Sequence, residues 1–141
     1  MKKLSRLLIF LLCLTACAAV EVPPKTQIET CVGALLQSWQ NKDERAFMAQ
    51  ISHDYPRRAA LENTLSDAFM TRDDIRIGNA IISDIIYKEG VWTATVRFDI
   101  SYDRQIDEQK PFQTVRKKAA YRVFFKSENQ KAVVIRFDKL N

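Results

Sequence analysis

Apolar and polar positions change rhythm halfway along the chain. In the second half, Trp92, Ala94, Val96, Phe98, Ile100 and Tyr102 alternate with Thr93, Thr95, Arg97, Asp99 and Ser101. A period of two predicts a strand with one buried and one wet face. The isoleucine-rich stretch 80–87 precedes it. A two-residue turn at Glu89-Gly90 would pair Lys88 with Val91 and Tyr87 with Trp92. Carried on without interruption, that register sets Ile85 opposite Ala94, Ser83 opposite Val96 and Ile81 opposite Phe98. A third strand is expected from Gln113 to Lys126, with Val115, Ala119, Tyr121, Val123 and Phe125 on one side and Arg116, Lys118, Arg122 and Lys126 on the other. A fourth runs from Lys131 to Asp138 with Val133, Ile135 and Phe137 inward. A three-residue loop at Ser127-Glu128-Asn129 keeps the two faces in phase, because a two-residue loop would oppose Tyr121 to Arg136. That loop sets Lys118 opposite Asp138 and Val123 opposite Val133.

The first half repeats at helical spacing. Thr26-Gln27-Ile28-Glu29 has the form of a capping box, and Ile28, Val32, Leu35, Leu36 and Trp39 then share one face. Asn41 to Glu44 repeats the cap spacing before a short helix with Ala46, Phe47 and Ile51 inward. Pro56 suits the first position of a third helix, with Ala60, Leu61, Leu65, Ala68 and Phe69 as its apolar positions. Helices followed by antiparallel strands predict an α+β fold, with N-terminal helices packed on a curved four-stranded antiparallel sheet.

This organisation resembles the nuclear transport factor two-like superfamily, the cone fold shared with ketosteroid isomerase-like proteins. The resemblance rests on Leu35-Leu36-Gln37-Ser38-Trp39, the Asn41-Lys42-Asp43 cap, the short helix to Tyr55 and the hairpin Lys88-Glu89-Gly90-Val91-Trp92-Thr93-Ala94. It spans nearly all of residues 26–138; a cystatin-type fold would share the same layers. The resemblance implies a pocket between sheet and helices, used by some members for catalysis and by others for binding. Trp39, Trp92, Phe98, Tyr102 and Tyr121 are the candidate lining of such a pocket for a small apolar ligand.

The amino end belongs to neither pattern. Lys2, Lys3 and Arg6 precede the apolar run 7–14, and Ala16, Ala18 and Ala19 follow. That order is a secretory signal, too short for the roughly 20 residues of a spanning helix. Leu14-Thr15-Ala16-Cys17 resembles the lipobox of bacterial lipoproteins, which implies cleavage before Cys17 and lipid on its sulfur. The expected organisation is a signal peptide at 1–16, a lipidated cysteine and short linker at 17–25, and one domain at 26–141. Pro23-Pro24 stiffens the linker. By the same resemblance, Ala18 in place of aspartate favours the outer membrane, facing the periplasm. Removal of the signal leaves 19 basic residues against 17 acidic ones. So near a balance gives no case for nucleic acid.

Candidate chemistry is sparse on the predicted inward face. Tyr87, Tyr102, Tyr121 and Ser83 are its neutral polar members and Lys117 its one charge. His53-Asp54 is the only histidine–carboxylate neighbour pair, and histidine as a residue type exchanges protons near neutral pH. Adjacent helical residues do not face each other, however. One histidine, with Cys31 the only cysteine left after processing and lipidation, offers too few ligands for zinc. Gly33, Gly78 and Gly90 are isolated, so no phosphate loop is present. No cofactor or metal is expected, and the chain reads as non-catalytic, with isomerase or hydrolase activity the lesser alternative. The outward sheet face carries Arg97, Arg116, Lys118, Arg122 and Arg136. Phe124 sits among them, a surface suited to an acidic envelope protein partner or an anionic envelope polymer. The leading expectation is therefore a membrane-anchored lipoprotein acting as a non-catalytic protein-binding module. The alternative is a binder of a small apolar ligand in the cone.

Overall fold

In the computed structural model, residues 25–106, 108 and 111–141 are described. The expected signal peptide, the lipobox-like run and most of the expected linker lie outside them. The elements follow in chain order as α1 (Lys25–Gln40), α2 (Glu44–Met48), α3 (Arg58–Thr71), β1 (Asp73–Lys88), β2 (Val91–Arg104), β3 (Gln113–Glu128) and β4 (Lys131–Lys139). The strands form one antiparallel sheet in the order β1-β2-β3-β4. This is the predicted α+β arrangement.

Each helix boundary moves slightly from its expected place. Helix α1 begins at Lys25, so Thr26 is already helical, and its carbonyl accepts from the Thr30 hydroxyl at 2.8 Å. Asp43 caps α2 in place of Asn41, accepting from the Ala46 amide at 2.9 Å. Asn41 and Lys42 make the turn instead, with Lys42 in the left-handed region. Helix α3 starts at Arg58, two residues beyond Pro56, after a left-handed Arg57.

The core lies between the inward sheet face and α1. Ile28, Val32 and Leu35 of α1 meet Ala94, Val96, Val123, Phe125 and Val134, with Phe47 and Phe69 closing the helical side. Phe125 and Ile28 have no exposed surface. Burying such side chains stabilises the fold by roughly 1.5–3 kcal/mol each. Cys31 sits within this core, and burial pushes its thiol up to about 12. It is a packing residue and a poor nucleophile.

The register of β1 departs from expectation after its first three pairs, beyond Ile86. Tyr87 opposes Trp92 and Lys88 opposes Val91 as predicted, but Ile82, not Ser83, faces Val96, and Ile81 faces Arg97. Irregularities fall between Asp73 and Arg76, Gly78 and Ile81, and Ser83 and Ile86. Each contains a left-handed residue: Asp74, Asn79 and Asp84, spaced every five positions and followed by Glu89 in the turn. Asp and Asn enter that region at lower cost than other side chains. The inserted residues flip the face and leave Ile81 and Ile86 more than half exposed. A parallel correction applies at the β3–β4 hairpin. Its turn has two residues, Asn129 and Gln130, both with positive φ as a type I′ turn requires. An extra residue at Ile135 restores the face phase, so Val123 opposes Phe137 and Arg122 opposes Asp138.

Candidate functional site

The segment between α2 and α3 is held from three directions. On one side it pairs with the sheet: the Ser52 amide donates to the Val134 carbonyl at 2.8 Å, and the Val134 amide donates to the Gln50 carbonyl at 2.8 Å. On another, the Ser52 hydroxyl, with 0% exposure, donates to Glu128 Oε1 at 2.5 Å. Lys126 Nζ then bridges Asp54 at 3.1 Å and Glu128 at 2.9 Å. Burial alone would push the Glu128 carboxyl up, but the hydrogen bonds from Ser52 and Lys126 and the Lys126 charge hold it below its usual value. Those bonds to Glu128 and Asp54 raise the Lys126 ammonium in turn. Thirdly, Arg58 closes the end of α2. Its Nη1 donates to the carbonyls of Ile51 and Ser52, each at 2.9 Å, and its Nη2 to that of Met48 at 3.1 Å. One planar fork thereby joins three carbonyls at the end of α2, giving Ile51 its donor and adding a second to Met48 and Ser52, which also accept from the Ile51 and Tyr55 amides.

This frame leaves an open groove of about 640 Å³ between α2 and α3. Met48, Ala49 and Ile51 form its apolar floor. Glu44, Arg45, His53, Arg58 and Glu62 supply its polar rim. Glu44 Oε2 accepts from the Ser66 hydroxyl at 2.6 Å, which fixes one carboxylate against α3. Glu62 stands 4.0 Å from Arg58 Nε. His53 is exposed on the rim, in reach of solvent and of whatever occupies the groove. Two carboxylates, two guanidiniums and an imidazole over an apolar floor can orient a small amphipathic molecule and exchange a proton with it.

A second open concavity of about 530 Å³ lies across β1, β2 and β3, lined by Arg76, Ile77, Gly78, Asp99, Ile100, Ser101, Arg116, Lys117 and Lys118.

The five aromatic residues expected to line a cone pocket are distributed along the inner surface. Trp39 packs edge-on against Phe47 and Phe69, each ring 5.7 Å away. Trp92 lies 5.1 Å from Tyr87. Phe98 stacks with Tyr121 at 6.1 Å. Tyr102 is buried under the Arg72 guanidinium, 4.5 Å from its ring centre. None of the five lines either concavity. The indole nitrogens of Trp39 and Trp92 are buried without a hydrogen-bond partner among the described residues.

The five cations expected outward are all exposed and share the outward face by register. Arg97 donates to the Ser83 hydroxyl at 3.3 Å. Arg122 lies opposite Thr95 and Asp138. Arg136 pairs with Asp138 at 3.0 Å and stacks 3.7 Å over Phe124. Arg116 and Lys118 instead join the second concavity. Sequence reasoning singled out His53 but missed Glu44, Arg45, Arg58 and Glu62 around it. No periodic signal connects them, since the groove exists only when α2, α3 and the intervening turn meet. Arg76 and Gly78 were missed because β1 was expected to begin near Ala80.

The chain has the nuclear transport factor two-like cone fold. No family model matches the sequence, and no curated protein matches it. Among solved structures, a candidate aromatic ring hydroxylase from Novosphingobium aromaticivorans superposes with a TM-score of 0.70 at 9% identity, over 81% of this chain and 85% of that one. A nuclear transport factor 2-like superfamily protein from Salmonella enterica superposes with a TM-score of 0.66 at 12% identity, over 83% and 89%. A candidate dehydratase of the same family from Streptomyces avermitilis gives 0.62 at 10% identity, over 82% and 97%. These likenesses overturn the expectation of a non-catalytic protein, since structures sharing this cone are candidate enzymes. The expectation rested on a mostly apolar inward sheet face and on His53 having only its chain neighbour Asp54 as a carboxylate partner, whereas the fold brings the imidazole together with Glu44 and Glu62 around the helical groove. At these identities the likeness carries the fold and no particular reaction.

Proposed function

We propose that this protein binds a small amphipathic molecule in the groove between α2 and α3, with His53, Glu44 and Glu62 as the groups able to exchange protons with it. The observation that carries this reading is the coincidence of the chain's one histidine, two carboxylates and two guanidiniums around an apolar floor. The groove's volume falls within the roughly 300–1,000 Å³ of small-molecule sites. Arg45 reaches the rim without an ion-pair partner among the described residues, so an acidic group on the ligand would meet it first. The apolar part of the ligand would lie on Met48 and Ala49. A small-molecule library screened by protein-observed nuclear magnetic resonance tests this. Hits should shift the amides of Ala49, His53 and Glu62, and Ala49→Trp, which fills the groove from an exposed position, should abolish them. Hits that shift only Phe98 and Tyr121, and survive Ala49→Trp, would move the site into the cone.

A second reading concerns location. The run Leu14-Thr15-Ala16-Cys17 behind an apolar segment supports lipid anchorage through Cys17 to a bacterial envelope membrane, with the outer membrane favoured by Ala18. The seven residues between Cys17 and Lys25, even fully extended, would span at most about 25 Å. The domain would then work close to the bilayer surface. Metabolic labelling with a palmitate analogue should mark the wild-type chain and leave Cys17→Ser unmarked; equal labelling of both would end this reading.

A further inference from the structure

The second concavity has a charge arrangement that the helical groove does not share. Across the sheet, Arg76, Ser101 and Arg116 occupy one row of paired positions, and Gly78, Asp99 and Lys118 the next. Paired residues in antiparallel strands project to the same face, so these six side-chain positions surround one outward hollow. Two inter-strand spacings separate the Arg76 and Arg116 backbones by roughly 10 Å, with the Ser101 hydroxyl between them. An oxyanion seated over Ser101 can therefore take a guanidinium fork from each side.

Three details favour an anion there over a solvated surface. Gly78 adds no side chain to the wall, and the place its Cβ would occupy has no atom within 4 Å. Asp99, the one acid in the hollow, has its Oδ2 engaged by the Asn79 amide at 2.7 Å. Arg116 and Lys118 have no ion-pair partner among the described residues, while Arg76 has Asp74. The left-handed bulge at Asn79 creates both the glycine-floored opening and the amide that occupies Asp99. We infer that Arg76, Ser101 and Arg116 form a phosphate-binding site on the outward face of the sheet, with Lys118 as an accessory cation. The same group could arrive as free phosphate, as a phosphomonoester or in a phospholipid head. This site is independent of the α2–α3 groove.

Two titrations on the full chain in a phosphate-free mild detergent test the inference and separate the sources. The probes are inorganic phosphate and a short-chain phosphatidylglycerol, read by amide shifts. Phosphate should move Gly78, Ser101 and Lys118, and the double variant Arg76→Gln with Arg116→Gln should weaken binding at least about tenfold, the loss of roughly one charged hydrogen-bonding group. Arg136→Gln, on the same face outside the hollow, should leave binding unchanged and serve as the control for general surface charge. Saturation by phosphatidylglycerol with no response to phosphate assigns the site to a lipid head; the reverse assigns it to a free phosphate or monoester. No response to either probe, or equal weakening in the double variant and Arg136→Gln, overturns the proposal. Circular dichroism of each variant separates lost binding from lost fold.

Discussion

The two edges of the sheet solve one problem by opposite means. An open edge strand presents unpaired amides and carbonyls to any other strand. At β4 the edge is covered at Val134, where Gln50 and Ser52 pair with it, and the Ser52–Glu128–Lys126–Asp54 network pins that cover in place. At β1 the edge stays open but is bent three times by left-handed residues. Gln40 Oε1 accepts from one edge amide, that of Ile77, at 2.9 Å. Covering an edge adds backbone from elsewhere and so builds the α2–α3 groove. Bending one removes regular pairing and so opens the hollow beside Gly78. Each protection leaves a concavity of its own kind, mixed in charge at the covered edge and cationic at the bent one.

The largest test of this contrast is Arg58→Ala. It removes the guanidinium shared by three carbonyls; those of Met48 and Ser52 keep the Ile51 and Tyr55 amides, and that of Ile51 loses its donor, which should lower unfolding free energy by about 2 kcal/mol. Urea denaturation measures it. Arg58→Lys should recover little, because an ammonium cannot span three carbonyls in one plane. A loss below about 0.5 kcal/mol would show that water replaces the guanidinium and that the cover stands without it.

At the other edge, Asp84→Val forces a β-branched side chain into a left-handed position. The cost is about 1–2 kcal/mol. If the strand relieves that strain by straightening, the edge becomes a better template, and light scattering should report association that the wild type lacks. Asp84→Gly keeps the bulge and should neither strain the fold nor associate.

The covered edge should also respond to pH. Glu128 has a folded value below its unfolded value near 4.5, so its contribution is full above that point and is lost as pH falls through the folded value. Lys126 is raised, so its contribution is full below the ordinary lysine value and is lost as pH climbs through the raised one. Glu128→Gln should therefore flatten the acid limb of the stability profile, while wild type and variant converge at low pH. Parallel limbs would place the acid sensitivity elsewhere. The smallest effect belongs to the exposed Ile81 and Ile86 beside the bends. Replacing either with lysine should change stability by less than about 0.5 kcal/mol, with any change appearing in solubility.

How much of this was legible beforehand follows from what each feature depends on. The β2 alternation from Trp92 to Tyr102, the Glu89-Gly90 turn and the apolar face of α1 are properties of short contiguous segments, and periodicity alone determined them. The order of helices and strands then determined the layers, which a cystatin-type fold would share. The bulges were only half visible. Asp74, Asn79 and Asp84 interrupt an apolar run at a regular interval of five, which is a signal, but their conformation depends on pairing with β2. The β3–β4 hairpin shows the same limit: a two-residue turn looked inconsistent until Ile135 was found to absorb the phase error. Both concavities were decided by tertiary structure alone. Glu44, His53 and Glu62 are spread over three segments, and Arg76, Ser101 and Arg116 over three strands. Residues so separated carry no mutual signal in a single sequence, because what unites them is packing and hydrogen-bond register, which exist only in the folded chain.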